Sequence, residues 1–162
     1  MLIAFFSIFF AVGLGMLGYS LYSIKKSNEV TTWPMAIGRI ISSELTSSSD
    51  SDGTTYRVKV SYDYSVMGQI YHGDRIAYGY SGSSGHEAHQ QILDRLPAGR
   101  QVEVRYHPEK PQEAALAYGF HRSTKFTLAF SITWLLFTSG MALMSWLFSR
   151  PDQALLDSIR LH

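Results

Sequence analysis

The chain contains no cysteine. Disulfide frameworks, thiolate zinc sites and thiol nucleophiles are therefore excluded, while the compartment stays open, because reducing and oxidising sides both tolerate cysteine-free domains. It also lacks a charge imbalance. Fourteen Lys and Arg stand against thirteen Asp and Glu, a formal net charge of +1, too small a bias for a duplex-DNA partner. No nucleic-acid partner and no cofactor are expected.

Charge is absent locally as well. Residues 2–24 and 126–148 hold no acidic, basic or histidine side chain. Helices of that length span about 34 Å at about 1.5 Å per residue, enough for a hydrocarbon core of about 30 Å. Both runs are read as transmembrane helices, with Tyr19, Tyr22 and Trp146 as interfacial anchors. Nothing basic precedes Leu2 and the apolar run is long, which argues against a cleaved signal peptide. The missing charges also argue against an ion pathway or proton relay. Ala11, Gly15 and Gly18 are the small residues expected to let helices approach. Lys25, Lys26, Arg122 and Lys125 flank the spans on their inner sides, and Arg150 and Arg160 follow the second. Basic flanks stay cytoplasmic, so the expectation is a multi-pass inner (cytoplasmic) membrane protein, its middle domain cytoplasmic and its termini periplasmic.

Between the spans, residues 25–35 read as a linker and 36–121 as a β-rich soluble domain, with 149–162 a short tail. Residues 36–45, containing Ile37 and Ile41, predict a first strand, and the Ser/Asp/Gly/Thr run 46–54 a solvated loop. Tyr56, Val58, Val60, Tyr62, Tyr64 and Val66 alternate with Arg57, Lys59, Ser61, Asp63 and Ser65, the period of a strand with one buried face. A turn at 67–69 leads to a partner strand over 70–78, then a Gly/Ser-rich loop to Gly85. Ala88, Ile92, Leu93 and Leu96 mark a face of a short helix over 86–96. Strands follow over 102–106 and 114–118. The whole predicts two transmembrane helices flanking a small antiparallel β-barrel or sandwich with one short helix. In the tail, Leu155, Leu156 and Ile159 share one side of a possible helix.

Three stretches are distinctive together: Trp33-x4-Gly38-x-Ile40, TYRVKVSYDYSVMGQIYHGDRI and LPAGRQVEVRYHPEKPQEAAL. The last carries Gly99, Val102, Val104, Tyr106, Pro108, Pro111, Ala114 and Leu116 in a G-x-x-V-x-V-x-Y-x-P-x-x-P-x-x-A-x-L pattern. This resembles the bacterial membrane-protein family catalogued as domain of unknown function 3592. The resemblance implies hydrophobic segments beside the domain and brings no assigned activity. Each motif residue also has a folding role: Gly99 suits a positive φ, the valines point inward from alternate positions, and the prolines fix a turn.

Chemistry-bearing patterns are incomplete. His86-Glu87-Ala88-His89 is one residue short of a zinc-protease motif, although His86 and His89 are the weak metal candidates, with His72 and His107 as completing ligands. Asp50-Ser51-Asp52-Gly53 lacks the spacing of a calcium loop. Gly79, Gly82 and Gly85 precede no Lys-Ser/Thr, and Gly82-Ser83-Ser84-Gly85 is not a nucleophile elbow, so a flexible loop tip is expected. The tyrosines at 56, 62, 64, 71, 78, 80, 106 and 118 suit a packed sheet better than a stacking platform. The expected function is non-enzymatic: a scaffold binding another protein beside the lipid bilayer, with a homo-oligomer compatible. The alternatives are an immunity or envelope-stress accessory protein and a metal-dependent hydrolase.

Overall fold

The computed structural model describes residues 2–119, 121–150, Leu156 and Ser158. Apart from Leu156, the tail residues expected to form a helix lie outside this range. Two long apolar helices bracket the chain, α1 (Leu2–Val30) and α3 (Arg122–Phe148). Ala4–Val30 and Arg122–Phe148 are long and apolar enough to cross a membrane, by length and composition. By contact the chain forms two compact units, one covering Ser20–Phe126 and the other the helix segments up to Tyr19 and from Thr127.

In the Ser20–Phe126 unit lie β1 (Met35–Asp50), β2 (Gly53–Val66), β3 (Gln69–Gly73), α2 (His86–Arg95), β4 (Gln101–Tyr106) and β5 (Ala114–Ala115). All strand pairs are antiparallel, in the order β3-β2-β1-β4-β5. This is a single open sheet, neither barrel nor sandwich. Its outermost strands, β3 and β5, are too short to meet and close it.

The alternating strand is as expected: Val58, Val60, Tyr62, Tyr64 and Val66 are buried with Ile40, Val104 and Ala114. Other boundaries move. β1 does not stop at Leu45 but continues to Asp50, because hydroxyl-bearing residues pair well across a hairpin. Ser49 and Thr54 share a hydroxyl bond, and the Asp50 carboxylate accepts the Asp52 N–H. The register slips between Ile40 and Ser42. Ile40, opposite Tyr62, points inward, whereas Ile37 and Ile41 fall on the other face and are exposed. β3 ends at Gly73, well short of 78, and β5 spans two residues. From there the chain pairs irregularly, Leu116 and Ala117 donating to the Ile76 carbonyl. Met67 and Gly68 both take positive φ in the β2–β3 turn, which matches the twist of a tight hairpin.

The expected linker is mostly helix. α1 continues through Lys25–Val30, where Lys26 pairs with Glu29 one turn on. The Ser27 hydroxyl donates to the Gly119 carbonyl at 2.7 Å. Arg105, on β4, donates to the carbonyls of Thr31 and Trp33 just past the helix end and lies over the Tyr118 ring. Val30, Trp33, Tyr78 and Ala115 form a second small core there. The last carbonyls of the helix, those of Asn28, Glu29 and Val30, accept the N–H groups of Thr31, Thr32 and Trp33.

In the other unit, the close approach is at Gly13 rather than at Gly15 or Gly18. A Cβ on Gly13 would meet Leu135 Cδ2 at 2.6 Å and Trp134 Cδ1 at 2.8 Å, whereas Gly15 and Gly18 face open space. The Trp134 indole N–H donates to the Phe9 carbonyl at 3.0 Å, and the two rings stack. Ser131 and Thr138 return their hydroxyls to the carbonyls of Thr127 and Trp134, which satisfies them without another helix.

Candidate functional site: a capped sheet edge and an open one

The stripe of α2 that faces the sheet is His89, Ile92, Leu93 and Leu96, not one led by Ala88. Ala88 is exposed, while His89 is only 4% exposed. Its Nδ1 lies 2.8 Å from the Tyr80 hydroxyl and its Nε2 2.9 Å from Ser83 Oγ. Tyr80 also accepts the Val58 backbone N–H at 3.0 Å. The neutral ring donates from one nitrogen and accepts at the other, so in either tautomer it bridges the Tyr80 and Ser83 hydroxyls. Burial holds the His89 pKa below its ordinary value and raises that of Tyr80; both therefore stay neutral at physiological pH.

This buried chain of hydrogen bonds pins the Gly/Ser loop, which is no free tip. Ser83 and Tyr56 exchange backbone bonds of 2.8 and 3.0 Å. Gly82 passes so close that a Cβ would meet Thr55 Cγ2 at 2.8 Å and the Tyr56 carbonyl at 3.0 Å. The loop thus covers the outer edge of β2 at Tyr56 and Val58, where β3 does not reach.

The structure does not unite the metal candidates. Both ring nitrogens of His89 are committed, and His86 packs edge-on against Tyr56 with centroids 4.7 Å apart. His72 pairs with Asp63, and His107 faces Glu29 at 3.7 Å. Among the described residues no group of three or more His, Cys, Asp or Glu side chains is placed to hold a metal. The tyrosines mostly serve the core. Tyr62 donates to the Arg75 carbonyl and Tyr64 to that of Pro111. Burial pushes the Tyr64 pKa up to about 12 and that of Tyr62 higher still.

The edge of β1 differs. β4 pairs with it only from Met35 to Arg39. Ile40 then exchanges backbone bonds with Arg100 and Gly99, and the Ser43 hydroxyl donates to the Leu96 carbonyl. From Glu44 to Asp50, β1 has β2 on one side and, among the described residues, no strand on the other. On this hairpin an open depression is lined by Thr46, Ser47, Ser48, Thr55, Arg57 and Lys59, with Gly82 beside them. It offers cations and hydroxyls but no acid–base pair.

Sequence reasoning missed the Tyr80–His89–Ser83 set. One signal was there: residues 89, 92, 93 and 96 stand at i, i+3, i+4 and i+7, the spacing of a single helix face. Tyr80 and Ser83 gave none, because loop residues reach their partners through tertiary structure.

No curated protein matches the chain. The family model described as domain of unknown function (DUF3592) matches residues 36–121, which takes in the sheet from the second residue of β1 onward, and α2. That match spans more than half of the chain, and the motif residues fall on the fold accordingly: Gly99 takes a positive φ at the turn into β4, and Val104 and Ala114 lie in the core. The chain belongs to the DUF3592 family.

Proposed function

We propose that this chain is a two-pass inner-membrane protein whose sheet is a non-enzymatic scaffold, displayed beside the bilayer on the cytoplasmic side to bind another polypeptide. The observation that carries this reading is the fastening of the sheet to the end of an apolar helix. Within the Ser20–Phe126 unit, Ser27, Arg105 and the Trp33 cluster lock the last turns of α1 to the sheet. The buried histidine has a structural task that fits the same reading, because its ring bridges Tyr80 and Ser83 and so pins the loop against β2.

Sidedness tests the placement, and the absence of native cysteine makes it clean. Met67 sits fully exposed in the β2–β3 turn and Ser149 is exposed just past α3. Single cysteines at each are labelled with a membrane-impermeant maleimide. The expected result is that Met67→Cys reacts only after lysis and Ser149→Cys reacts in intact cells. The reverse pattern overturns the orientation and moves the search for partners to the envelope. Extraction of the chain by alkaline carbonate would overturn membrane spanning itself.

A further inference from the structure

We propose that the open edge of β1 joins two copies of this chain, strand to strand, in an antiparallel pairing centred on Thr46. The proposal rests on the membrane reading in one respect: confinement in a bilayer supplies the concentration that so short a contact needs.

Sheet edges in soluble domains are guarded, because a row of unpaired N–H and C=O groups is a template for any passing strand. Three edges here are guarded. β3 has five residues and β5 two, and the outer edge of β2 is occupied by Ser83 and the Tyr80 hydroxyl. β1 between Glu44 and Asp50 carries no lysine and no proline, its charges being Glu44 and Asp50 at the two ends, and among the described residues no strand pairs with its outer side.

The directions of its backbone groups follow from its partner. Tyr56 and Val58 send their backbone bonds away from β1, to Ser83 and Tyr80. In an antiparallel pair, residues opposite such positions likewise turn theirs outward. Those residues are Ser47 and Leu45. Both therefore present N–H and C=O to the open side.

A second copy of the same edge fits these groups. With a twofold axis at Thr46, Leu45 meets Ser47 of the second copy and Ser47 meets its Leu45, each pair exchanging two backbone bonds. Thr46 then faces Thr46, and Glu44 faces Ser48. These are hydroxyl–hydroxyl and carboxylate–hydroxyl neighbours, a favourable set for cross-strand pairs. Centring the axis on Ser47 instead would set Glu44 against Asp50 of the second copy, and like charges directly opposite are unfavourable. The pairing is isologous, so it closes at two copies and leaves no free edge to propagate. Seven residues of strand bury far less than the ~1,200 Å² of a stable soluble complex, hence the need for confinement.

Single-cysteine variants in native membranes, oxidised with copper phenanthroline and run without reductant, test this. Across a non-hydrogen-bonded pair the Cα atoms lie about 4.5 Å apart, within disulfide reach. Thr46→Cys is expected to shift to twice the chain mass, whereas Ser48→Cys and the loop control Met67→Cys are not. Adding Ser47→Pro removes one outward N–H without touching the β1–β2 bonds, and is expected to abolish the Thr46 cross-link while the circular dichroism stays unchanged. A monomeric Thr46→Cys, or a cross-link indifferent to a folded Ser47→Pro, overturns the pairing; a maximum at Ser47→Cys overturns its register. Should Ser47→Pro fail to fold, the Thr46 result decides alone. Carbonate extraction reports separately on membrane spanning, and the cross-link is scored in whichever fraction holds the chain.

Discussion

At the scale of single residues, His89 is the position where substitution is most informative. Its ring satisfies Tyr80 and Ser83 at once while almost wholly enclosed. His89→Leu keeps the volume but removes the ring that bridges Tyr80 and Ser83, so we expect a loss of about 1 kcal/mol, the usual net worth of such hydrogen bonds, read by urea unfolding in detergent. The same residue sets a pH dependence. Burial holds His89 and His121 below the ordinary value of 6.5, so as pH falls the unfolded chain takes up protons before the folded one. The stability tied to these groups is complete above about 6.5 and is lost as pH drops through the depressed folded values. A urea midpoint that declines below that pH, with a shallower decline in His89→Gln, is the expected outcome. An unchanged decline would move the effect to His121, whose Nε2 is buried with no hydrogen-bond partner among the described residues.

At the scale of elements, β1 shows where sequence reading works and where it stops. Alternation in β2 was legible because buried and wet residues there differ sharply in chemistry, valine and tyrosine against arginine, lysine and aspartate. β1 between Ser42 and Asp50 is mainly serine and threonine, which serve a loop or a strand equally; only pairing with β2 decides between them. The inward residue Ile40 was disguised by Ile37 and Ile41 on the other face, and which face is buried is decided by pairing with β2, where Ile40 lies opposite Tyr62. Gly38, in contrast, has its explanation in space. A Cβ there would stand 2.6 Å from Val104 Cγ2 and 2.8 Å from the Asp63 carbonyl. Backbone cannot yield as a side-chain tip does, so Gly38→Ala is expected to cost about 1–3 kcal/mol through overpacking. Gly85→Ala, with contacts no nearer than 3.6 Å, is the control expected to leave the same unfolding curve unmoved. The end of α1 went unread for a related reason. Lys25 and Lys26 close an apolar run, yet helices do not stop where hydrophobicity stops; here Ser27, Glu29 and Arg105 carry the helix onward.

At the scale of the whole molecule, the apolar segments were the plainest part of the sequence, since length and absence of charge suffice to mark them. Which small residue mediates packing was not legible, because alanine and glycine recur along the run. The structure assigns it to Gly13, beneath Trp134 and Leu135. We expect Gly13→Leu to lower the thermal midpoint of the detergent-purified chain, and Gly15→Leu and Gly18→Leu to lower it less, since a Cβ at either meets no described atom within 4 Å. Equal effects at all three would show that the helices pack otherwise.

The chain has three tryptophans, and their surroundings differ. Trp146 is exposed at the end of α3, and Trp134 is tied to the Phe9 carbonyl. Trp33 is 4% exposed, edged by Tyr78 and His107, with the Lys26 ammonium 5.7 Å from its ring centre. With Trp134 and Trp146 replaced by phenylalanine, Trp33 becomes a built-in optical gauge at the point where helix and sheet are fastened. Its emission, blue-shifted while the ring stays enclosed, would move to longer wavelength as soon as that fastening opens, even where the sheet itself holds. The loosening of the seat and the melting of the domain can thus be followed as two colours of light from a protein that carries no added label.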